Sequence, residues 1–577
     1  MSNQLNKTWQ VTAAIKPEAL NQFPEINPIV LQLLFNRGID NQEKIDQFLN
    51  PDYGQDIHDP FLFSEMAKAV KRILEAVEKK EKIVVYGDYD ADGVSASAIM
   101  MECLKNLKAE VDIYIPYRET EGYGLNKEAV AELAKKGTQL VITVDCGIAN
   151  KAEVDLLNQK GIDIIITDHH HQPLELPKAF AILNPNLDKE KYPFRSLAGC
   201  GVAFKLVQAL ADWQQKYKIN QVEDGFEKWL LDLVAIGTIA DIQPLLGENR
   251  TLVKYGLIVL QKTKRLGLLK LFETMNNNLT LIDERVVGWQ IAPRLNAAGR
   301  LNHASSAYQL LLTDDLAQAD KLVAELNQTN QERQQLTDKI ILEAKELLGE
   351  VKDQKILIVV GTDWPTGVVG LIAGRLTDEF HRPSLIISQY KGEIIGSGRS
   401  IPEFNIITAV EKCDQFLSRY GGHAQACGFT LKNQENLEKF KDQMTKLASQ
   451  ELTAKNLLPT IKIDAEIRLE DVNWQLFEEL EKFIPFGEGN PKPKFLAKSL
   501  TVNESQTVGK EAKHLRLMVS HQTQIIRKTI GFGFGHWSNK LKFGDKIDMV
   551  FEVDVNEWNG NRELQLKIID LKLAGEN

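Results

Sequence analysis

Three acidic clusters in this sequence each stand directly after a short apolar run. They are Asp88-Tyr-Asp90-Ala-Asp92 after residues 83–86, Asp145 after residues 140–144, and Asp168-His169-His170 after residues 162–167. If the apolar runs are strands of one open parallel sheet, their carboxyl ends lie at a single edge, where ligands bind. Crowded carboxylates repel each other unless cations lie between them, and a neighbouring imidazole favours a divalent transition metal over calcium. The pattern therefore predicts a hydrolytic centre that holds two metal ions.

The elements that must position these clusters alternate between strand and helix from residue 82 to about residue 185. The predicted strands are 83–86, 111–115, 140–144, 162–167 and 179–183. Continuous apolar strands that alternate with helices are typical of a doubly wound parallel sheet.

The 577 residues are too many for one ordinary hydrophobic core, so we predict three or more domains. Residues 315–350 form a Gln- and Glu-rich helix that we expect to be polar all round and to bridge domains. A second, smaller α/β domain follows, and alternating strands with a hairpin signal at Asn559-Gly560 then predict a small β-barrel. The predicted regions are an N-terminal helical segment packed on the catalytic domain (1–80), the catalytic α/β domain (81–314), the connecting helix (315–350), the second α/β domain (351–457) and the barrel (458–577).

Bulk composition sets limits on location and partners. The net charge of -10 gives no global indication of a nucleic-acid partner, so a phosphate-binding surface would have to be local. No apolar run is long enough to cross a membrane, and the first residues lack the apolar core of a secretory signal. Five separated cysteines without a C-x-x-C pair indicate reduced thiols, and we therefore expect a cytoplasmic protein without structural zinc.

Two acidic segments have alternative interpretations. Asp88 to Gly93 resembles the start of a calcium EF-hand loop, but the twelfth position is Ile99, which cannot supply the bidentate carboxylate. Ordinary turn and cap chemistry remains an alternative for this segment. Asp241 ends the apolar run 237–240 and could complete the metal site, although by itself it would be interpreted as a helix cap or a surface residue.

Signals for phosphate binding lie in the second half of the chain. They are the glycine-rich segments 361–370, 396–400 and 421–423, and a basic segment, 492–528, that is followed by aromatic residues. Backbone N–H groups at a helix start bind anions, and a basic barrel with aromatic side chains suits a nucleic-acid strand. The alternatives are glycines that only make turns and a solvated basic face.

Together these motifs resemble the DHH phosphoesterase superfamily, named for the residues that stand here as Asp168-His169-His170, and within it the RecJ family of exonucleases specific for single-stranded DNA. The resemblance extends from about residue 80 to the end of the sequence. Further motifs that carry it are Val85-Tyr-Gly-Asp-Tyr-Asp-Ala-Asp-Gly-Val, Glu121-Gly-Tyr-Gly-Leu, Val144-Asp-Cys-Gly-Ile, Asn184-Pro-Asn, Leu197-Ala-Gly-Cys-Gly-Val, Pro293-Arg-Leu-Asn-Ala-Ala-Gly-Arg, Gly396-Ser-Gly-Arg-Ser and Gly421-Gly-His-Ala.

The resemblance implies a role for individual residues. The metal ligands would be Asp90, Asp92, Asp145, His169 and Asp241. His170 would contact the scissile phosphate, so Asp145, His169 and His170 form the predicted catalytic set. Phosphates of the strand would be held by Arg300, Gly367, Arg375, Ser397, Arg399 and His423. Smaller relatives have a metal-binding histidine where this sequence has Tyr86, and we expect Asp88 to take over that role.

The resemblance also implies an activity and an architecture. The architecture is a DHH domain, a connecting helix, a DHHA1-type substrate-binding domain and an oligonucleotide-binding (OB) barrel. The activity is 5′→3′ hydrolysis of single-stranded DNA to 5′-mononucleotides with two Mn²⁺ or Mg²⁺ ions, in DNA repair and recombination. The expected partners are single-stranded DNA, a single-strand-binding protein and a helicase; we expect a monomer and no membrane association. The alternatives are a DHH enzyme for short oligoribonucleotides or cyclic dinucleotides, and a non-catalytic scaffold at replication forks.

Overall fold

The computed structural model describes residues 7–217, 223–275, 278–521, 525–558 and 560–575. The described residues form two compact units, which we call the catalytic unit and the barrel unit. The catalytic unit contains Ile57–Gln243 and Leu252–Pro459. The barrel unit contains Lys7–Asp56, Pro244–Thr251 and the chain from Thr460 onward.

The first elements of the chain belong to the barrel unit. They are β1 (Thr8–Val11), α1 (Pro17–Gln22), α2 (Pro28–Asn36) and α3 (Gln42–Leu49). Asn27 and Asn41 are the N-caps of α2 and α3, because each side chain accepts a hydrogen bond from a backbone N–H of the first turn.

A parallel sheet forms the centre of the catalytic unit. Its strands are β2 (Ile83–Gly87), β3 (Val111–Tyr114), β4 (Leu140–Val144), β5 (Asp163–Thr167) and β6 (Ala181–Leu183). The order across the sheet is β3-β2-β4-β5-β6, and all neighbours are parallel, which confirms the predicted sheet. The strand order reverses between β2 and β4. In such sheets the ligand site lies beside this reversal, at the carboxyl ends of the strands.

Helices cover the sheet and continue beyond it. Those between and before the strands are α4 (Met66–Glu78), α5 (Ala91–Asn106), α6 (Lys127–Lys135) and α7 (Lys151–Gln159). After the sheet come α8 (Gly199–Tyr217), α9 (Leu231–Ala240), α10 (Gly247–Leu260), α11 (Leu266–Thr274), α12 (Glu284–Val286), α13 (Ala292–Leu301) and α14 (Ser305–Leu312). A π-helical turn, Val287–Ile291, joins α12 to α13. Such turns are frequent near functional sites.

The long connecting helix is α15 (Leu316–Leu348), which begins at the N-cap Asp315. The expectation that it is polar all round was wrong, because two groups of its side chains are buried: Ala319, Leu322, Val323 and Leu326 in the first half, and Thr337, Ile340, Ile341 and Ala344 in the second. Each group repeats at helical spacing and so forms an apolar stripe. The first half contacts α11, α13 and α14, and the second contacts the following α/β part.

That second α/β part has a mixed sheet. Its elements are β7 (Leu357–Thr362), α16 (Thr366–Phe380), β8 (Ser384–Tyr390), β9 (Glu393–Arg399), α17 (Ile406–Glu411), β10 (Leu417–His423), β11 (Ala426–Leu431) and α18 (Glu435–Glu451). The order is β10-β11-β9-β8-β7, in which β7 and β8 are parallel and the other neighbours antiparallel.

The remaining strands close a barrel. The elements are β12 (Thr460–Ile463), β13 (Ala465–Glu466), α19 (Trp474–Glu481), β14 (Phe495–Val508), β15 (His514–Ser520), β16 (Ile526–Gly531), β17 (Lys546–Trp558) and β18 (Asn561–Leu573). The order is β13-β14-β15-β16-β18-β17, and pairing of β14 with β17 closes the barrel. Strands β17 and β18 pair as the predicted hairpin, although Asn559 lies outside the described residues.

The N-terminal segment differs from its expected placement on the catalytic domain. Residues 7–56 lie in the barrel unit, where Leu31 and Phe48 share a hydrophobic core with Phe483 and Phe551. β1, in a segment expected to be helical, pairs in parallel with β12. The apolar faces of α2 and α3 are buried in this core. The helical pattern of the segment predicts that these faces are buried, but it does not show which domain buries them.

Candidate metal centre and phosphate cleft

The loop between β2 and α5 carries three aspartates in different settings. Asp90 caps α5, because its Oδ1 accepts hydrogen bonds from the N–H groups of Asp92 and Gly93, both at 3.0 Å. Asp92 is buried in the first turn, where Gly199 N donates to its Oδ2 (2.7 Å) and Cys200 N donates to its Oδ1 (2.9 Å). The start of α8 thus fixes a carboxylate that lies more than 100 residues earlier in the sequence.

Asp145 lies directly after β4 in a strained conformation. Its φ is 61°, which is uncommon for a residue with a side chain and typical of functional sites. The chain passes very close to it at Gly199, where an added Cβ would lie 2.5 Å from Asp145 Oδ1. In the part of the chain that the structure describes, the buried oxygens Asp145 Oδ1 and Asp88 Oδ1 have no hydrogen-bond partner.

The Asp168-His169-His170 segment is held by hydrogen bonds on every side. Asp168 accepts hydrogen bonds from the N–H groups of Ile148, His169 and His170 and contacts the His170 ring at 2.8 Å. Its oxygens are therefore occupied by the protein itself. The side-chain amide of Asn184 donates to the His170 carbonyl at 2.9 Å, which fixes the backbone of the motif from β6.

The predicted metal ligands come together in two adjoining groups, each with its ligand atoms within 4.8 Å of one another. The groups are Asp88 with Asp90 and Asp145, and Asp92 with His169 and Asp241; a further set, Asp145 with His169 and His170, overlaps both. His169 Nε2 joins them, because it lies 3.2 Å from Asp145 Oδ1 and 3.6 Å from Asp241 Oδ2. The Tyr86 hydroxyl donates to the Gly124 carbonyl at 3.0 Å, whereas the carboxylate of Asp88, two residues later, belongs to the first ligand group.

The electrostatics of the two groups favour a cation. Burial, reinforced by the neighbouring carboxylates, raises the pKa values of Asp88 and Asp145 well above their ordinary range. The same causes, with Asp92 as the main neighbour, raise the pKa of Asp241 to about 8. Burial lowers the pKa of His169 and keeps its ring neutral, which is the form that binds metal. Carboxylate oxygens and a neutral imidazole fit Mn²⁺ or Mg²⁺, and a cation would satisfy the unpartnered oxygens.

His170 has the opposite charge preference. Burial acts to lower its pKa, but the hydrogen bond and the charge of Asp168 outweigh burial and raise the pKa to about 9. The Tyr123 hydroxyl lies 3.0 Å from His170 Nδ1 and donates to the Asp145 carbonyl at 3.0 Å. A cationic imidazole is thus held at the edge of the carboxylate groups, where it could contact a phosphate.

A cleft of about 990 Å³ in the catalytic unit adjoins this centre. The predicted phosphate contacts Arg300, Gly367, Ser397 and Arg399 all line it. Arg300 donates to the Gly367 carbonyl at 3.0 Å, and Arg399 donates to Ser397 Oγ at 3.2 Å. Burial, together with repulsion from Arg118 and other arginines, lowers the pKa of Arg300 to about 9. An anion in the cleft would relieve this repulsion.

The other two predicted phosphate contacts lie elsewhere. Arg375 is paired with Asp338 of α15 at 2.5 Å and is not among the residues that line the described cleft. His423, at the end of β10, also lies outside that lining, and its ring is 5.4 Å from the ring of His171.

Sequence reasoning missed three residues that the structure places at the site. Arg118 and Tyr123 line the cleft, and Asn296 Oδ1 accepts a hydrogen bond from Ala91 N at the start of α5. Arg118 is basic and lies four residues after the end of β3, so a search for acidic residues directly at strand ends does not select it. Asn296 lies in the Pro293-Arg-Leu-Asn motif quoted above, but neither charge nor a place at a strand end marked it as a site residue.

Four of the eight lysines and arginines in the basic segment, residues 492–528, are paired with acidic residues. The ion pairs are Lys492 with Asp554, Lys498 with Glu466, Lys513 with Glu511 and Lys528 with Glu563. The segment is therefore less electropositive than its sequence indicated.

The cysteines and the apolar character of the helices were also predicted from the sequence. All five cysteines are buried free thiols. Among the helices of the described ranges, we find none with the length and apolar character that a membrane crossing requires.

A parallel sheet that ends in this aspartate and histidine set, joined by a long helix to a second α/β part, defines a DHH phosphoesterase. Family models agree with this class. The DHH family N-terminal domain matches residues 82–238, the DHHA1 domain matches 353–450, and the RecJ OB domain matches 463–570.

Individual relatives narrow the class. The single-stranded-DNA-specific exonuclease RecJ of Bacillus subtilis is 38% identical over 97% of this chain and 70% of its own length. The protein of the same name from Escherichia coli is 31% identical over 95% of this chain and 96% of its own length. The crystal structure of Thermus thermophilus RecJ with Mn²⁺ matches with a TM-score of 0.83 and 29% identity, over 99% of this chain and 80% of that one. The chain belongs to the RecJ family.

Proposed function

We propose that this chain is a metal-dependent exonuclease that removes 5′-mononucleotides stepwise, in the 5′→3′ direction, from single-stranded DNA. The observation that carries the proposal is the pair of adjoining ligand groups joined by His169 beside an arginine-lined cleft. The relatives named above support single-stranded DNA as the substrate.

Two Mn²⁺ or Mg²⁺ ions would be held by Asp88, Asp90, Asp92, Asp145, His169 and Asp241. Asp145 would contribute to both ligand groups, because it belongs to the first and lies 3.2 Å from His169 of the second. When bound, the ions would supply Lewis acidity to the phosphodiester and lower the pKa of a coordinated water.

The chain's own residues would bind and orient the substrate. His170, kept cationic by Asp168, would donate a hydrogen bond to a non-bridging oxygen of the scissile phosphate and stabilise charge that develops there. Arg300 and Arg399 would hold neighbouring phosphates in the cleft. Arg375 and His423, which lie outside the described cleft lining, would contact phosphates further along the strand.

The remaining parts of the chain would select the strand. We assign residues 81–314 as the catalytic domain, 315–350 as the connecting helix, 351–457 as the substrate-binding domain and 458–577 as the OB domain. A single strand would enter the cleft, whereas a duplex would be excluded by its width. We further propose that the enzyme acts as a cytoplasmic monomer in DNA repair and recombination, with a helicase and a single-strand-binding protein as partners.

The first experiment uses Mn²⁺ and a single strand labelled at its 3′ end, with a matched blunt duplex alongside. We expect a ladder of progressively shorter labelled products from the single strand and an intact duplex. A strand that stays whole but is retarded in a gel would support the scaffold alternative. Faster turnover of a dinucleotide than of the long strand would favour an enzyme for short oligonucleotides.

A further inference from the structure

Helix α9, whose last turn positions Asp241, ends in an unusual residue. Ile242 N–H donates to the Ile239 carbonyl and Gln243 N–H donates to the Thr238 carbonyl, both at 3.2 Å. This pair of bonds is the Schellman motif, which requires a left-handed residue after the C-cap and usually has glycine there. Ile242 occupies that position with a φ of 58°. A β-branched side chain is strongly disfavoured in this conformation.

Other helices of the catalytic unit show what the position normally contains. Helices α6 and α7 end with Gly137 and Gly161, which have φ values of 75° and 72°. Helices α4 and α5 end with the same bonding pattern at Lys80 and Lys108, whose polar side chains are exposed to water. Ile242, in contrast, is apolar and 69% exposed. It therefore combines backbone strain with exposed apolar surface and gains little from packing.

The location of Ile242 suggests a reason for this cost. It is bonded directly to Asp241, whose Oδ2 lies 3.6 Å from His169 Nε2 and accepts a hydrogen bond from Gln243 at 2.9 Å. A phosphodiester at the metal centre would bring its two nucleotides close to the residues that flank Asp241, since each base is tethered to the phosphate through one sugar. The base is the apolar part of a nucleotide, and burying its face against an apolar side chain is favourable whatever the base.

We propose that Ile242 is the surface against which the base of a nucleotide flanking the scissile bond packs. The inference rests on the proposed nuclease function. The contact would position the phosphodiester over the metal centre without selecting a base sequence. Ile242 would thus act as a positioning residue rather than as a metal ligand.

The test combines protein variants with strands that lack one base. Wild type, Ile242→Gly and Ile242→Val are compared on an unmodified single strand and on strands with an abasic nucleotide at the first, second or tenth position from the 5′ end. Lys108→Gly is the matched control, because it removes a side chain from the same motif on α5. Single-turnover rates over the first cleavages and thermal unfolding midpoints are measured for each protein.

We expect wild type and Ile242→Val to cleave at an abasic first or second nucleotide about fivefold more slowly than at an intact one, which corresponds to about 1 kcal/mol. Ile242→Gly should cleave the unmodified strand as slowly as wild type cleaves a strand with an abasic first or second nucleotide. Both glycine variants should unfold at a higher temperature, because glycine relieves the left-handed strain. Lys108→Gly should keep the wild-type preference for an intact base, and the tenth position should have no effect on the first cleavages.

Two results would overturn the inference while leaving the nuclease function intact. One is a wild-type enzyme that cleaves abasic and intact termini equally fast. The other is an Ile242→Gly variant that retains the full preference for an intact base. A wild-type protein that degrades no single strand with Mn²⁺ would instead overturn the proposed function, and this inference with it.

Discussion

Replacing Asp145 by asparagine should stabilise the metal-free protein while abolishing turnover. In the first ligand group the carboxylate atoms of Asp88, Asp90 and Asp145 lie within 4.8 Å of one another. Two full charges at that separation repel by about 3.5 kcal/mol at an effective dielectric constant of about 20. Proton uptake at raised pKa values relieves part of this repulsion. We therefore expect a gain of about 2 kcal/mol at pH 8, where more of the carboxyl groups are ionised.

The same substitution at another buried aspartate should have the opposite sign. Asp232 Oδ2 accepts hydrogen bonds from Arg265 Nε at 2.9 Å and from Thr263 Oγ1 at 3.1 Å. Asp232→Asn leaves the buried guanidinium with Glu102 as its remaining carboxylate, at 2.7 Å. Breaking such a pair from one side costs about 3–5 kcal/mol, and the retained Glu102 should reduce the loss to about 2 kcal/mol.

The assay measures thermal unfolding of both variants and wild type in EDTA at pH 8, followed by unfolding with Mn²⁺ and exonuclease rates. Asp145→Asn should melt higher than wild type in EDTA, respond weakly to Mn²⁺ and lose at least a thousandfold in rate. Asp232→Asn should melt lower but respond to Mn²⁺ as wild type does. The reasoning would be refuted if Asp145→Asn melted lower than wild type in EDTA, or if it kept its rate within tenfold.

Three further predictions concern the same centre. Mn²⁺ should raise the unfolding midpoint more at pH 8.5 than at pH 6 and should release protons on binding. Carboxyl groups with a raised folded-state pKa, such as Asp241 at about 8, stabilise the metal-free fold fully only below their ordinary pKa, and this contribution is lost as the pH rises through about 8. Melting curves across pH check this, and a pH-independent response to Mn²⁺ would contradict it. Asp168→Asn should shift the alkaline loss of exonuclease rate to lower pH, because without the carboxylate the pKa of His170 falls from about 9 towards its ordinary value; an unmoved alkaline limb would argue against a cationic role for His170. Gly199→Ala should weaken Mn²⁺ binding at least tenfold in calorimetry, because the new methyl group meets Asp145 Oδ1 at 2.5 Å; unchanged affinity would show that the carboxylate can move away.

Local sequence patterns were sufficient to predict the sheet and the position of the candidate ligand groups. Apolar runs that end in aspartate located β2, β4 and β5 to within about a residue of the observed bounds. Strands that alternate with helices form a parallel sheet, and in a parallel sheet the carboxyl ends of the strands lie at one edge. The six predicted ligands consequently lie in adjoining groups, while their role as ligands stays a prediction.

Other features depended on contacts between distant segments. The connecting helix α15, which was expected to be polar all round, has two buried apolar stripes. The N-terminal segment, which was expected to pack on the catalytic domain, shares a hydrophobic core with the barrel. In both cases a short apolar pattern shows that a face is buried but does not identify the surface that buries it. Three lysines of the basic segment, Lys492, Lys498 and Lys528, likewise have acidic partners on other strands.

By itself the sequence determined where strands end and which of those ends carry carboxylate or imidazole groups, because backbone periodicity and strand boundaries are encoded locally. Only the tertiary structure decided that α8 would hold Asp92, that Asp168 would make His170 cationic and that Arg118 would join Arg300 in the cleft. These properties depend on burial and on distances of a few ångströms between segments far apart in the chain. Hydrogen bonds and charge interactions change steeply over such distances, and no spacing along the sequence specifies them.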